Sequence, residues 1–365
     1  MRRDNLAAVA GRPGLVQRRW LLLALTTFLQ IAHADLVDDL VQQEMNTHRI
    51  PGVALAVVKD GREIKAAAYG LANLELSVPV QSNTVFEIGS LTKQFTAASI
   101  LLLQQQGKLS VDDRISQHLP DIPGAWTNIT IRHLLTHTSG IKSYTGMKGF
   151  EFAKRLSQKQ FIEALAVVKP DFAPGEAWKY SNSGYNLLGF IVENLSGQSY
   201  WQFLRERVWR PLGMNATTER DPGVIITNRA AGYEQTNRLH INRDYDLTDV
   251  YSAGAIVSTV GDLALWNRAL DAEQLLTRES KLQMWTPARL NGGQPTGYGF
   301  GWYIQPLDGH RNLAHNGATS GFSASVQRFP DDGLSVIVLT NTDEMVAGLL
   351  ARKVATFYLG RGKER

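Results

Sequence analysis

The sequence predicts an α/β (α+β) protein, an antiparallel sheet flanked by N- and C-terminal helices, with a mainly helical domain inserted between the two halves of the sheet. Three observations carry this. Runs with strand character cluster near both ends of the 365-residue chain, while helical runs fill its middle. Asp60-Gly61 and Asp332-Gly333 stand between successive strand runs, where a hairpin needs residues tolerant of positive φ. Strands at both termini around central helices imply a domain built from both ends of the chain. The expected boundaries are residues 35–125 and 251–365 for this discontinuous domain and 126–250 for the helical one, with an active site between them.

Residues 1–34 read as a leader. Arg18-Arg19 precede an apolar stretch, Trp20 to Ile31, and Ala32-His33-Ala34 fits a small-x-small cleavage signal, making Asp35 the new N-terminus. The apolar run falls short of the ~20 residues of a membrane span. An uncleaved anchor is the alternative. The expected location is periplasmic or secreted, by Sec export or the twin-arginine route.

Gly52 to Val58 is continuously apolar, as a buried strand is, and Glu63 to Tyr69 returns beside it. A helical run follows from Ser90 to Gln106. Asp112 to Leu119 and Ile131 to Leu135 are short helical pieces, and Phe150 to Val168 is amphipathic until Pro170, Pro174 and Gly175 end it. Gly184 to Leu195 and Tyr200 to Val208 are further helices. Residues 215–250 are polar and irregular. Asp262 to Leu270 is a helix with Ser258 or Thr259 as cap. Gly299 to Ile304, Asn312 to His315, Phe322 to Phe329 and Leu334 to Thr340 are strands, and Glu344 to Tyr358 is a closing helix.

The full chain carries a net charge of +4, and the leader alone holds five arginines against Asp4, leaving 33 basic and 33 acidic residues after cleavage. That balance, without any basic patch interleaved with aromatics, excludes nucleic acid as an expected partner. There is no cysteine. An exported protein without disulfides must rely on its core, and thiol nucleophiles and Cys-ligated metals are excluded. His133 and His137 have i, i+4 spacing, but no Glu follows His133 and no third ligand is evident, so no metal and no cofactor are expected.

Chemistry concentrates in three motifs. The first is Ser90-Leu91-Thr92-Lys93 at a helix start. A serine hydroxyl needs a base within reach to attack a carbonyl, and a residue three further along the helix lies on the same face. Unpaired N–H groups of the first turn favour an oxyanion there. The second is Tyr180-Ser181-Asn182. A phenol with an ordinary pKa near 10 serves as a base only beside a cation such as Lys93, while the Asn182 amide can bond Lys93 and a substrate carbonyl together. The third is His315-Asn316-Gly317 at a strand end. Gly317 lets a substrate approach the backbone closely, and His315 either grips a carboxylate when protonated or relays a proton when neutral.

In this order, separated by 90 and 135 residues, the motifs resemble those of the serine β-lactamase and penicillin-binding-protein superfamily. The resemblance points to the branch with class C β-lactamases, DD-carboxypeptidases, D-aminopeptidases and family VIII carboxylesterases. Leu134 to Gly140, Tyr180 to Tyr185, Ser252-Ala253-Gly254 and Gly297 to Trp302 extend it, so that it covers residues 38–358. It implies that Ser90 is acylated, with Lys93 and Tyr180 sharing the proton traffic. It implies an oxyanion hole of the Ser90 and Ala318 N–H groups, and a substrate amide oriented by Asn182. Which of Lys93 and Tyr180 is the base stays open at this point.

One departure matters. Most β-lactamases of the superfamily carry K-T-G as third motif, where this chain has His315, so efficient β-lactamase activity is discounted. Thr319 and Ser320 offer hydroxyls to a substrate carboxylate. If His315 is the carboxylate grip, turnover of anionic substrates rises relative to neutral esters as pH falls toward ~6. The expected protein is an exported acyl-enzyme hydrolase, foremost a DD-peptidase-like enzyme, then an esterase, then a β-lactamase. Its substrate is a small or peptide-like molecule: a peptidoglycan stem peptide, an ester or a β-lactam. A silent sensor of cell-wall fragments or β-lactams is the non-enzymatic alternative.

Overall fold

The computed structural model describes residues 36–147, 156–235, 240–244 and 246–360. The leader and the first residues of the expected Phe150–Val168 helix lie outside these. Contacts divide the chain into residues 1–43 and 44–365. Residues 36–48 are helical (α1), and everything that follows belongs to the larger unit.

Its principal element is a seven-stranded antiparallel sheet. β1 (Gly52–Lys59), β2 (Arg62–Asn73) and β3 (Val78–Pro79) come from one end of the chain. Before the remaining sheet strands come β4 (Phe86–Glu87), β5 (Thr218–Glu219), β6 (Gly232–Gln235), β7 (His240–Arg243) and β8 (Ile256–Ser258). β9 (Tyr303–Ile304), β10 (Leu313–Thr319), β11 (Phe322–Phe329) and β12 (Leu334–Thr340) complete the sheet in the order β3-β2-β1-β12-β11-β10-β9. The apolar run of β1 lies in its interior, between β2 and β12, and is buried from Gly52 to Val58, as a strand covered on both faces must be. Asp60 and Gly61, with φ of 49° and 72°, make the tight turn to β2.

Helices cover both faces. In chain order the helices of this unit are α2 (Thr92–Gln105), α3 (Ile131–Leu135), α4 (Gln158–Ala166), α5 (Asn182–Ser196), α6 (Tyr200–Leu204), α7 (Arg210–Leu212), α8 (Tyr251–Gly254), α9 (Val260–Asp271), α10 (Arg278–Met284) and α11 (Val346–Gly360), of which α9 and α11 pack on the sheet. The strand register puts Leu55, Val57, Val336, Val338 and Ser325 on one face. α11 lies there, with Ala347 N–H donating to Ser323 Oγ at 3.3 Å. Ala54, Ala56, Ile337, Leu339, His315 and Gly317 share the opposite face, where Arg328 Nη1 donates to the Asn267 carbonyl of α9 at 2.9 Å. The third motif therefore points toward the helical layer. α2 is buried from Thr92 to Leu103, and its polar Thr92, Gln94, Thr96 and Ser99 are each hydrogen-bonded there.

Caps explain several boundaries. Thr259 Oγ1 accepts from Asp262 N–H and starts α9, and Ser181 Oγ accepts from Gly184 N–H and starts α5. Where expectation and structure differ, the cause is tertiary. Asn312–His315 extends to Thr319 because β11 pairs it over its full length, so the third motif is inside a strand rather than at its end. Gly299–Ile304 shortens to Tyr303–Ile304, since Gly301, at φ 76°, turns the chain back against α2. Asp112–Leu119 keeps only a 3-10 turn, Ile115–Gln117. Residues 215–250 contribute β5 and the β6–β7 hairpin. Among the described residues no helix is long and apolar enough to cross a membrane.

Candidate active site

Ser90 occupies a 3-10 turn, Gly89–Leu91, that links β4 to α2. The chain reaches it from β4, which pairs with β8, and Ile88 N–H donates to the Ile256 carbonyl at 3.0 Å. One turn further, Lys93 is 0% exposed. Its Nζ lies 3.0 Å from Ser90 Oγ, 2.7 Å from Asn182 Oδ1 and 2.7 Å from the Ala253 carbonyl. Asn182 and Ala253 offer only acceptors here. A neutral amine has two N–H donors for them and one lone pair for the Ser90 hydroxyl. Burial pushes the Lys93 pKa well below its ordinary value, because a charge inside low-dielectric protein is poorly solvated.

Tyr180 lies beside this pair, with Lys93 Nζ 4.8 Å from its ring centroid. Two hydrogen bonds bracket it. Lys179 N–H donates to the His137 carbonyl at 3.0 Å and Ser181 N–H to His137 Nδ1 at 3.1 Å. The His137 and Tyr180 rings are 4.3 Å apart. The Tyr180 hydroxyl is enclosed and makes no hydrogen bond of normal geometry among the described residues. Burial raises its pKa well above the ordinary value, against an opposing pull from the Ser90 side chain. Burial thus pushes the two groups in opposite directions, the phenol toward its protonated form and the amine toward its neutral form.

Asn182 opens α5. Its N–H donates to Ser143 Oγ at 3.1 Å, and its Nδ2 faces Thr145 Oγ1 at 3.4 Å. Across from it β10 runs close over the Ser90 turn. A Cβ on Gly317 would sit 1.9 Å from the Ile88 carbonyl oxygen and 3.0 Å from Ser90 N, and one on Gly89 would sit 2.6 Å from Ala318 N. These two glycines let the strand and the turn touch backbone to backbone. The neighbour that Gly317 admits is thus the Ser90 turn, rather than the substrate expected from the sequence. Ala318 itself is exposed.

His315 lies in the interior of the site. It is 2% exposed. Its Nδ1 contacts the Asn316 carbonyl at 2.6 Å and its Nε2 the Tyr298 hydroxyl at 3.0 Å. With Nδ1–H donating to the carbonyl, Nε2 accepts from the phenol and both ring nitrogens are used. Burial drives the pKa down to about 3. Burial favours the neutral form of His315, which can relay a proton, over the cation that would grip a carboxylate. The expected result is a flat ratio of anionic to neutral substrate turnover between about pH 5.5 and 8. Parallel pH–rate profiles on the two substrate types measure it, and a ratio rising toward acid would restore the cationic role. Thr319 is also engaged, since its Oγ1 donates to Glu87 Oε2 at 2.7 Å.

Sequence reasoning missed Ala253, His137 and Glu87. Ala253 and His137 fall within recognised motif segments, but which atom of each is used is set by chain 160 and 44 residues away. His133 Nδ1 accepts from Thr130 N–H at 3.2 Å in a helix cap, so both histidines of the i, i+4 pair spend Nδ1 on backbone.

The chain has known relatives. The Beta-lactamase family model matches residues 37–357. A penicillin-binding protein of Bacillus subtilis (strain 168) is 32% identical over 321 residues, covering 81% of this chain. The chain spans 69% of that protein's length and 62% of Protein flp from Staphylococcus aureus (strain MW2). Among solved structures, the penicillin binding protein from Bacillus halodurans aligns at 28% identity and a TM-score of 0.75, covering 87% of this chain and 98% of that one. The D-stereospecific amidohydrolase from Streptomyces sp. aligns at 26% and 0.72, covering 85% and 94%.

Proposed function

This chain belongs to the beta-lactamase family of hydrolases, and from that premise we propose that it is an exported serine hydrolase forming an acyl-enzyme on Ser90. Its substrate is a peptide-like amide, as for a penicillin-binding-protein-like DD-peptidase or a related amidase. The observation that carries the reading is the placement of Lys93 Nζ, 3.0 Å from Ser90 Oγ and held there by Asn182 and Ala253, in a buried site that favours the neutral amine.

The chemistry follows. Lys93 takes the hydroxyl proton as Ser90 Oγ attacks the carbonyl carbon. The carbonyl oxygen becomes an anion between the Ser90 and Ala318 N–H groups, where preorganised donors stabilise it. The C–N bond then breaks, and the proton reaches the leaving amine through the Tyr180 phenol. Water hydrolyses the ester and restores Ser90. Asn182, held by Lys93 and Ser143, presents its amide to the substrate chain. Replacing Lys93 with alanine is expected to slow acylation about 10²–10⁴-fold, the usual contribution of a positioned base. The rate of adduct formation measures this, and a wild-type rate in the variant would remove Lys93 from the role.

One observation favours a second reading, a carboxylesterase. Neutral His315 supplies no cation for the carboxylate that flanks the scissile bond of a DD-peptide or a penicillin, so esters and amides lacking it lose nothing here. The similarity to a D-stereospecific amidohydrolase supports the amide reading. Export rests on the leader pattern of residues 1–34.

Intact masses of protein and drug after incubation with benzylpenicillin separate the readings. A lasting adduct means slow deacylation and a penicillin-binding enzyme. Hydrolysed drug without an adduct means a β-lactamase. No change to either means that β-lactams are not recognised, and neutral esters and D-amino peptides are then the substrates to assay.

A further inference from the structure

The reaction as described leaves one buried carboxylate beside Ser90 unused. Glu87 lies on β4, three residues before the nucleophile, and is 3% exposed. β8 holds its backbone at Val257. Its side chain crosses to β10, where Oε2 accepts from Thr319 Oγ1 at 2.7 Å. Thr319 directly follows Ala318, the second oxyanion donor of the proposed site. Glu87 thus ties the segment that carries the nucleophile to the strand that carries the other donor, next to the place where Gly89 and Gly317 leave the two backbones in contact.

We propose that Glu87 is a positioning residue which, as a carboxylate, holds Thr319 and thereby sets the geometry between the Ser90 and Ala318 N–H groups. The inference rests on the acyl-enzyme reading and adds to it a pH-dependent control of the oxyanion hole. Its charged surroundings come from one side. Oε1 is 3.4 Å from Arg220 Nε, Arg220 is 6% exposed and reaches Asp244 at 2.6 Å, and Arg229 reaches Asp244 at 3.0 Å. The β8 residues paired with β4, Val257 and Ser258, are uncharged, and β11 meets β4 through Phe322 against Phe86.

Burial raises the Glu87 carboxyl to about 7, opposed by Thr319, Arg220 and Arg229 and assisted by Asp244. Above that pH the group is ionised, accepts from Thr319 and attracts Arg220. Below it one oxygen carries a proton, the attraction to Arg220 is lost and the tie loosens. The stability sign is the opposite one. A folded pKa raised above the unfolded value favours the folded state at low pH, and this contribution disappears as pH rises through about 7.

The test follows Ser90 labelling by a fluorophosphonate, whose P–F bond breaks as the Ser90 P–O bond forms. Wild type, Glu87→Gln and Thr319→Val are compared from about pH 5.5 to 8.5, with thermal melts in parallel. Wild-type labelling is expected to rise about tenfold through pH 7, a fraction of the 10²–10³ that outright loss of an oxyanion donor costs. Glu87→Gln and Thr319→Val are expected to lack that step and to stay near the wild-type acid rate. Glu87→Gln should melt close to wild type at acid pH and above it at alkaline pH, which also shows that the variant folds. One shared labelling profile for wild type and Glu87→Gln would overturn this proposal and leave the nucleophile intact. No labelling of Ser90 in wild type would overturn the acyl-enzyme reading and this proposal together.

Discussion

Replacing Ser90 with alanine is expected to abolish both turnover and adduct formation while leaving the fold intact. The loss should be on the order of 10⁴–10⁶-fold, as when other serine enzymes lose their nucleophile. The reason is local. Ser90 Oγ is the hydroxyl within 3.0 Å of a base that is enclosed and already saturated by acceptors on its other side. With alanine there, Lys93 keeps its bonds to Asn182 and Ala253, so the helix start is not disturbed. The stability change should stay within about 1 kcal/mol, the net worth of one hydrogen bond. Mass spectrometry with an acylating substrate and a thermal melt read the two halves separately. Turnover at the wild-type rate would remove Ser90 from the reaction.

Gly317→Ala should have the next largest effect, although it adds one methyl group. That carbon would stand 1.9 Å from the Ile88 carbonyl oxygen, so backbone must move. Neither partner is free to do so. Gly317 is held in register opposite Ala324, and Ile88 is tied to Ile256. Overpacking of this kind usually costs about 1–3 kcal/mol. Acylation should fall further, about 10²–10³-fold, because the displaced strand carries the Ala318 N–H. Denaturant unfolding together with the acylation rate checks both, and a variant that matches wild type in each would show that β10 does not form the hole.

How much of the site could be read beforehand depended on distance along the chain. Ser90 and Lys93 lie three residues apart on a helical turn, and that spacing alone brings them together. Thr259, one of the two cap candidates for its helix, serves as that cap. The continuous apolar run of β1 required a strand buried on both faces, and it is an interior strand, third of the seven. Charge state was not legible in this way. A histidine at the third motif suggested a titrating group, yet His315 is enclosed by Tyr180, Tyr298 and Tyr303, whose ring centroids lie 6.1, 5.8 and 5.2 Å away.

The choice between Lys93 and Tyr180 as base shows the same division. The sequence names both, along with the motif order, the strand–helix–strand plan and the family. It leaves them equivalent, since their ordinary pKa values are both near 10. Burial separates them in opposite directions. The amine is pushed toward its neutral form and the phenol keeps its proton, because desolvation disfavours whichever form is ionised. That burial is built by Ala253, Asn182 and His137, residues of remote segments that meet Lys93 and Tyr180 only once the chain has folded.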